Sequence, residues 1–261
     1  MMPAANEMDF NSDVKNAVTR ITLLHDILRK FYQQGCIRLE PCMRKDILLG
    51  SLLKLLHQAE VAVTLGTAGC VEEILSVART MAEVAVNGAY LQLCEDQEID
   101  RFIHFETQTL YKHAKKLKVL VSQPPSPDAE AKMQEAVDAA RKQTGQNDQK
   151  ISWSIRGALL ARAEYFDKSS GLSPLMVALV LTAYAWGHRA IHATYDALSP
   201  FIHAVPNEVI VFNNERQEQL AIGLLAISFV LFNFGLFMSR ELKEDADAQL
   251  IAAHNAVFRE M

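Results

Sequence analysis

Apolar residues recur at steps of three and four along nearly the whole chain, and that periodicity restricts it to packed α-helices. Helix punctuation bounds each run. Asn11, Ser12 or Asp13 can cap a first helix reaching about Gln33, with Val14, Val18, Ile21, Leu24 and Leu28 on its inner stripe and Gly35 as its end. A second helix runs from Arg44 to about Leu65 and is closed by Gly66. A third spans Val71 to Leu93, and a fourth runs from Gln97 to about Val121. No helix crosses Pro124, Pro125 and Pro127, because each proline removes an amide donor and clashes with the turn before it. Ser126 and Pro127 then open a solvated helix from Asp128 to Gln143, whose apolar stripe is only Met133, Val137 and Ala140.

Beyond Trp153 the same spacing gives a helix from Ser154 to Tyr165 and a long one from Pro174 to Leu198, capped by Ser173 with proline at its first position. Two more, Glu215 to Glu241 and Ala246 to Phe258, close the chain. Only the run from Glu208 to Phe212 looks β-like. The expected fold is therefore all-α: a multi-helix bundle of long, mostly antiparallel helices with at most one short β-hairpin near residues 205–213. Punctuation divides it into an N-terminal helical half (1–122), a Pro-rich linker with the solvated helix (123–150) and a C-terminal helical half (151–261), packed as one globular unit.

With 261 residues, half of them hydrophobic, the chain can bury a substantial core. A net charge of -5 gives no global attraction for nucleic acid or anionic lipid. Cys36, Cys42, Cys70 and Cys94 form no Cys-x-x-Cys pair, and the first seven residues lack the basic and apolar regions of a signal peptide. Both features fit reduced thiols in a cytoplasmic protein. Two stretches without charge, Ser169–Gly187 and Gln219–Ser239, are each about long enough to span a bilayer. They carry Ser173, Thr182, Tyr184, Gln219, Ser228 and Asn233, and their flanks show no positive-inside asymmetry. Buried core helices are the favoured reading, with membrane association kept as the lesser one.

Two polar stripes stand out. Glu72, Ser76, Arg79, Glu83, Asn87 and Tyr90 follow at steps of four and three on the third helix, which on spacing alone is its solvent side. On the long late helix, Tyr184, His188, His192, Tyr195 and Ser199 form a second stripe, with Arg189 one position round. No Lys or Glu occurs between Leu172 and Ser199, although solvated faces use both freely. That stripe therefore reads as half-buried, lining a polar cavity, a shared site or an interface. If the two stripes meet, Arg79, Glu83, Tyr184, His188, Arg189 and His192 share one site, with Glu83 neutralising Arg79.

His188 and His192 could hold a metal from one helix, but the third ligand is missing. There is no Glu-x-x-His and no His-Glu-x-x-His, and nothing ties Asp100 and His104 to them. No metal or other cofactor is expected. Serine elbows, nucleophilic-cysteine signatures and Gly-rich phosphate loops are also missing from the sequence. Arg20 followed five residues later by His25 matches the spacing used by metal-independent ribonucleases of the HEPN class, where Arg holds phosphate and His moves protons. Ile21 stands where that class prefers a polar residue. Basic clusters at Arg29, Lys30, Arg38, Arg44 and Lys45, and at Lys112, Lys115, Lys116 and Lys118, allow an RNA footprint without requiring one.

Three segments together resemble a widespread bacterial family of uncharacterised all-helical proteins: Ala78 to Leu91, Ile151 to Arg156, and Tyr184 to Thr194. That family has an Arg-x-x-x-Glu helix, a central Trp-Ser and a late Tyr-x-x-x-Ser-x-x-x-His-Gly segment. The resemblance covers about residues 45–200 and marks Arg79, Glu83, Trp153, Tyr184 and His192. His188 replaces the family's Ser and Ala193 its Gly. The resemblance extends to HEPN-like and abortive-infection bundles, and implies bacterial origin and a place in phage defence. The functional expectation is a helical bundle that binds a ligand or partner, a second copy of itself included, through a polar inter-helix site. A HEPN-like ribonuclease acting as toxin or defence effector is the alternative, with Arg20 and His25 as its catalytic residues.

Overall fold

The structure, a computed structural model, describes residues 7–105, 109, 126–144, 154–171, 174–184 and 214–256. Helices dominate, and no strand occurs among the described residues. The elements are α1 (Glu7–Arg38), α2 (Met43–Thr67), α3 (Val71–Leu93), α4 (Pro127–Thr144), α5 (Leu159–Ser170), α6 (Leu175–Leu179) running into a π-helical turn (Val180–Tyr184), α7 (Asn214–Glu241) and α8 (Asp247–His254). Residues 96–105 are also helical. The segment expected to be β-like lies outside the described residues.

The chain forms two compact units, one of Met1–Gln92 with Ala163–Met261 and one of Leu93–Arg162. In the first, α7 is the central helix. Its Gly223 lies against Ile74 and Leu75 of α3, Leu224 against Gly66 of α2, and Gly235 against Leu28 of α1 and Leu250 of α8. Phe237 meets Phe166 of α5 edge-on at 5.2 Å. Neighbouring helices bury 67% of the most apolar stretch of α7, and the half-buried stripe of Ile222, Leu225, Phe229, Phe232 and Leu236 that they leave is apolar as well, so α7 carries no polar face there. Its buried polar groups are satisfied within the chain: Ser228 Oγ donates to the Leu225 carbonyl, Asn233 Nδ2 to Phe229, and Ser239 Oγ to Glu244.

Gly35 and Gly66 do not end their helices. α1 continues to Arg38 and α2 to Thr67, with both glycines inside. A Cβ on Gly35 would fall 2.6 Å from Leu49 Cδ2, and one on Gly66 2.9 Å from Leu224 Cδ2, so these glycines allow close packing. The residue that ends α2 is Gly69, at φ +74°, where the Cys70 amide returns to the Leu65 carbonyl in a left-handed cap. α2 starts at a thiol: Cys42 Sγ accepts from the Lys45 amide at 3.4 Å.

Of the two charge-free stretches, Ser169–Gly187 is not one helix. α5 ends at Ser170, Gly171 turns at φ +70°, and helix resumes only at Leu175. By length and composition alone, Met43–Thr67 and Glu218–Glu241 are each able to cross a membrane.

In the second unit, Ser126 Oγ accepts from the Ala129 amide and starts α4, which is exposed over most of its length apart from Val137. Glu98, 3% exposed, accepts from the Ile155 amide at 2.8 Å and anchors the turn before α5.

Candidate functional site

The polar stripe of α3 divides once packed. Glu83 is exposed, whereas Arg79 and Asn87 are half-buried and Tyr90 is fully buried, its ring edge-on to Tyr165 at 5.6 Å. Spacing could not make this distinction, since it fixes the direction of a side chain on its own helix and not what lies opposite.

Opposite Arg79 lies Tyr184. The guanidinium carbon sits 5.0 Å from the centre of the phenol ring, within cation–π range, and Nη2 is 3.5 Å from the hydroxyl, a long hydrogen bond. Arg79 Nε is buried with no hydrogen-bond partner among the described residues, and the same is true of Asn87 Oδ1. No ion pair joins Arg79 to Glu83 among the described residues, so the expected Arg–Glu pairing is replaced by stacking on an aromatic face. His188, Arg189 and His192 lie outside the described residues, as does Trp153.

Tyr184 is positioned by two features that the sequence reading missed. The first is Asp167 of α5, 4% exposed, whose two oxygens accept from the Met176 and Val177 amides, each at 2.9 Å. It caps α6 from a neighbouring helix and places negative charge at the positive end of the helix dipole. Pro174, expected as the first helical residue behind a Ser173 cap, occupies the N-cap position itself and makes no side-chain cap bond. An acid seven residues before a proline has no local signature, so only tertiary structure reveals this cap. The second feature is the π-helical turn that ends at Tyr184. Thr182 bonds back to the Ala178 carbonyl at 2.7 Å, a contact that bends helices. π-turns re-aim the side chains that follow them and gather at functional sites.

Arg20 and His25 do not converge. Five residues apart on one helix, they project about 140° from each other. Arg20 Nε donates to the Ala256 carbonyl at 3.0 Å, beyond the end of α8. His25 turns to α2, its Nε2 3.3 Å from Glu60 Oε1. A nuclease pair must hold the same phosphate, and these two side chains serve different neighbours. Among the described residues no group of three or more His, Cys, Asp or Glu could hold a metal ion.

The model of a family of unknown function, DUF5677, matches residues 45–209. The chain belongs to that family. No curated protein and no solved structure matches it. The DUF5677 region begins in α2 and contains Arg79, Glu83, Tyr184, His188, Arg189 and His192, while Arg20 and His25 lie before it. It also stops short of α7, so the central helix of the first unit comes from outside the matched region.

Proposed function

We propose that Arg79 and Tyr184 form the core of a recognition site for an acidic group, carried by a ligand or by a partner protein. The supporting observation is the half-buried guanidinium that stacks on Tyr184 with Nε unpartnered and no carboxylate beside it among the described residues. A buried cation without a counter-charge is costly, and an incoming carboxylate or phosphate relieves that cost through charge-assisted, forked hydrogen bonds. Stacking fixes the plane of the guanidinium and leaves its edge for such a pairing.

A thermal-shift screen of carboxylate- and phosphate-bearing metabolites tests this site. At least one anion should raise Tm in a concentration-dependent way, and the shift should vanish in Arg79→Ala and persist in Glu83→Ala. Stabilising anions that act equally on the Arg79→Ala protein would sink the reading. The defence role implied by the resemblance to abortive-infection bundles has its own test. Phage plating efficiency should change between cells carrying the intact chain and cells carrying Arg79→Ala.

A further inference from the structure

The two polar atoms that α3 leaves without partners have opposite needs. Among the described residues, Arg79 Nε is a buried donor without an acceptor and Asn87 Oδ1 a buried acceptor without a donor. Both side chains are half-buried, and Glu83, midway between them, is exposed. Positions 79, 83 and 87 are successive i, i+4 neighbours on one stripe of the helix. Adjacent Cβ atoms in such a row stand about 6 Å apart, and the first residue is about 12 Å from the third along the axis. Glu83 has no ion pair among the described residues, Arg79 being turned to the ring of Tyr184. Along α3 the stripe therefore presents a cation, then an anion, then a neutral acceptor. Leaving a buried donor and a buried acceptor unmet costs free energy at both ends of the row.

We infer that this stripe binds a short zwitterion, with its carboxylate at Arg79 and its ammonium between Glu83 and Asn87. The inference rests on the acid-recognition reading of Arg79 and Tyr184, and it adds what the other end of the ligand is. An ammonium carries three donors on a positive charge, so it gives Asn87 Oδ1 the hydrogen bond it lacks and neutralises Glu83. A neutral donor would answer Asn87 alone, and a second acid group would be repelled by Glu83. Length narrows the class. The two charged ends of the ligand stand one to two helix turns apart, about 5–11 Å. At about 3.3–3.6 Å per extended residue, that is the distance between the termini of a dipeptide or tripeptide, whereas a single α-amino acid is too short. The ligand class is a short peptide with both termini free.

Calorimetric titration of the full chain with trialanine, its N-acetyl form and its C-terminal amide tests the inference. The free peptide should bind tightest. The N-acetyl form keeps the carboxylate but has no ammonium, and should bind about tenfold more weakly, the loss of a charge-assisted hydrogen bond. The amide, which has no carboxylate, should bind more weakly still, and Arg79→Ala should weaken both acid forms. Glu83→Gln should weaken the free peptide about threefold, since exposed charge pairs contribute little, and should leave the N-acetyl form unchanged. Asn87→Ala should likewise weaken the free peptide alone. Equal affinity for the N-acetyl form, which also stands for the C-terminus of a protein, overturns the zwitterion and leaves the acid-recognition reading intact. Undiminished binding of the free peptide to Glu83→Gln does the same. If neither acid form binds in an Arg79-dependent way, the peptide ligand falls, and the anion screen decides separately whether Arg79 receives another acid.

Discussion

Asp167 carries more of the local structure than any residue of the polar stripes, because it satisfies two helix-start amides that would otherwise be buried without acceptors. Asp167→Ala should lower unfolding free energy by about 2 kcal/mol, the cost of a lost cap with a buried donor left open. Asp167→Asn, which keeps one acceptor, should lose less. Urea denaturation followed by circular dichroism measures both, and a loss within about 0.5 kcal/mol for Asp167→Ala, as at an ordinary surface site, would contradict the cap. Glu83→Ala provides the contrast. The sequence suggested that this residue neutralises Arg79, which would make its loss severe, but exposed Glu83 is unpaired with Arg79 and its removal should change stability by no more than about 0.5 kcal/mol. Arg79 and Tyr184 could be read from spacing as polar residues on apolar helices. Their mutual stacking could not, because it depends on a cap and a π-turn more than eighty residues along the chain from Arg79.

At the scale of elements, helix positions were legible and helix ends were less so. Val71–Leu93 is as the periodicity gives it, and the Ser126 cap is where the proline rule puts it. Gly35 and Gly66 were misread because glycine has two uses in a helix, termination and close approach, and one sequence does not separate them. α8 shows what an end contact can do. His254 stacks on Phe232 of α7 at 4.4 Å and 20°, and Arg20 of α1 holds the carbonyl of Ala256 two residues later. Burial, and then the nearby Arg20 charge, hold the His254 pKa below its ordinary value. The folded protein therefore binds fewer protons here than the unfolded chain, so the stabilisation is complete above the unfolded pKa of about 6.5 and is lost as pH falls through the lowered folded value. The unfolding midpoint in urea should decline between pH 7 and pH 5 more steeply in the native protein than in His254→Asn. Parallel slopes would show that α8 docking is not pH-linked through this side chain.

For the whole molecule, the all-α class follows from periodicity, but the arrangement around α7 does not. α7, a late helix followed by α8, forms the centre of a unit whose other members include α1, more than 170 residues earlier, and no local pattern encodes that pairing. The same arrangement bears on the membrane question. A spanning helix presents its apolar surface to lipid, whereas 67% of the most apolar stretch of α7 is buried against α1, α2, α3, α5 and α8. Phe234 and Phe237, both almost wholly buried, stack edge-on at 5.7 Å and are held on the protein side. Removing that packing should act on folding: Phe234→Ala should cost about 3–5 kcal/mol, the usual cost of emptying a large aromatic site in a core. If α7 is a core helix, the native chain should be recovered in the soluble fraction without detergent, and Phe234→Ala should lower its melting temperature by many degrees. If α7 instead lies in lipid, the chain should pellet with membranes through a high-salt wash, and Phe234→Ala should leave that association unchanged, because an alanine in a long apolar helix does not prevent insertion. The two outcomes exclude each other, so one fractionation of both proteins decides whether protein or lipid covers α7.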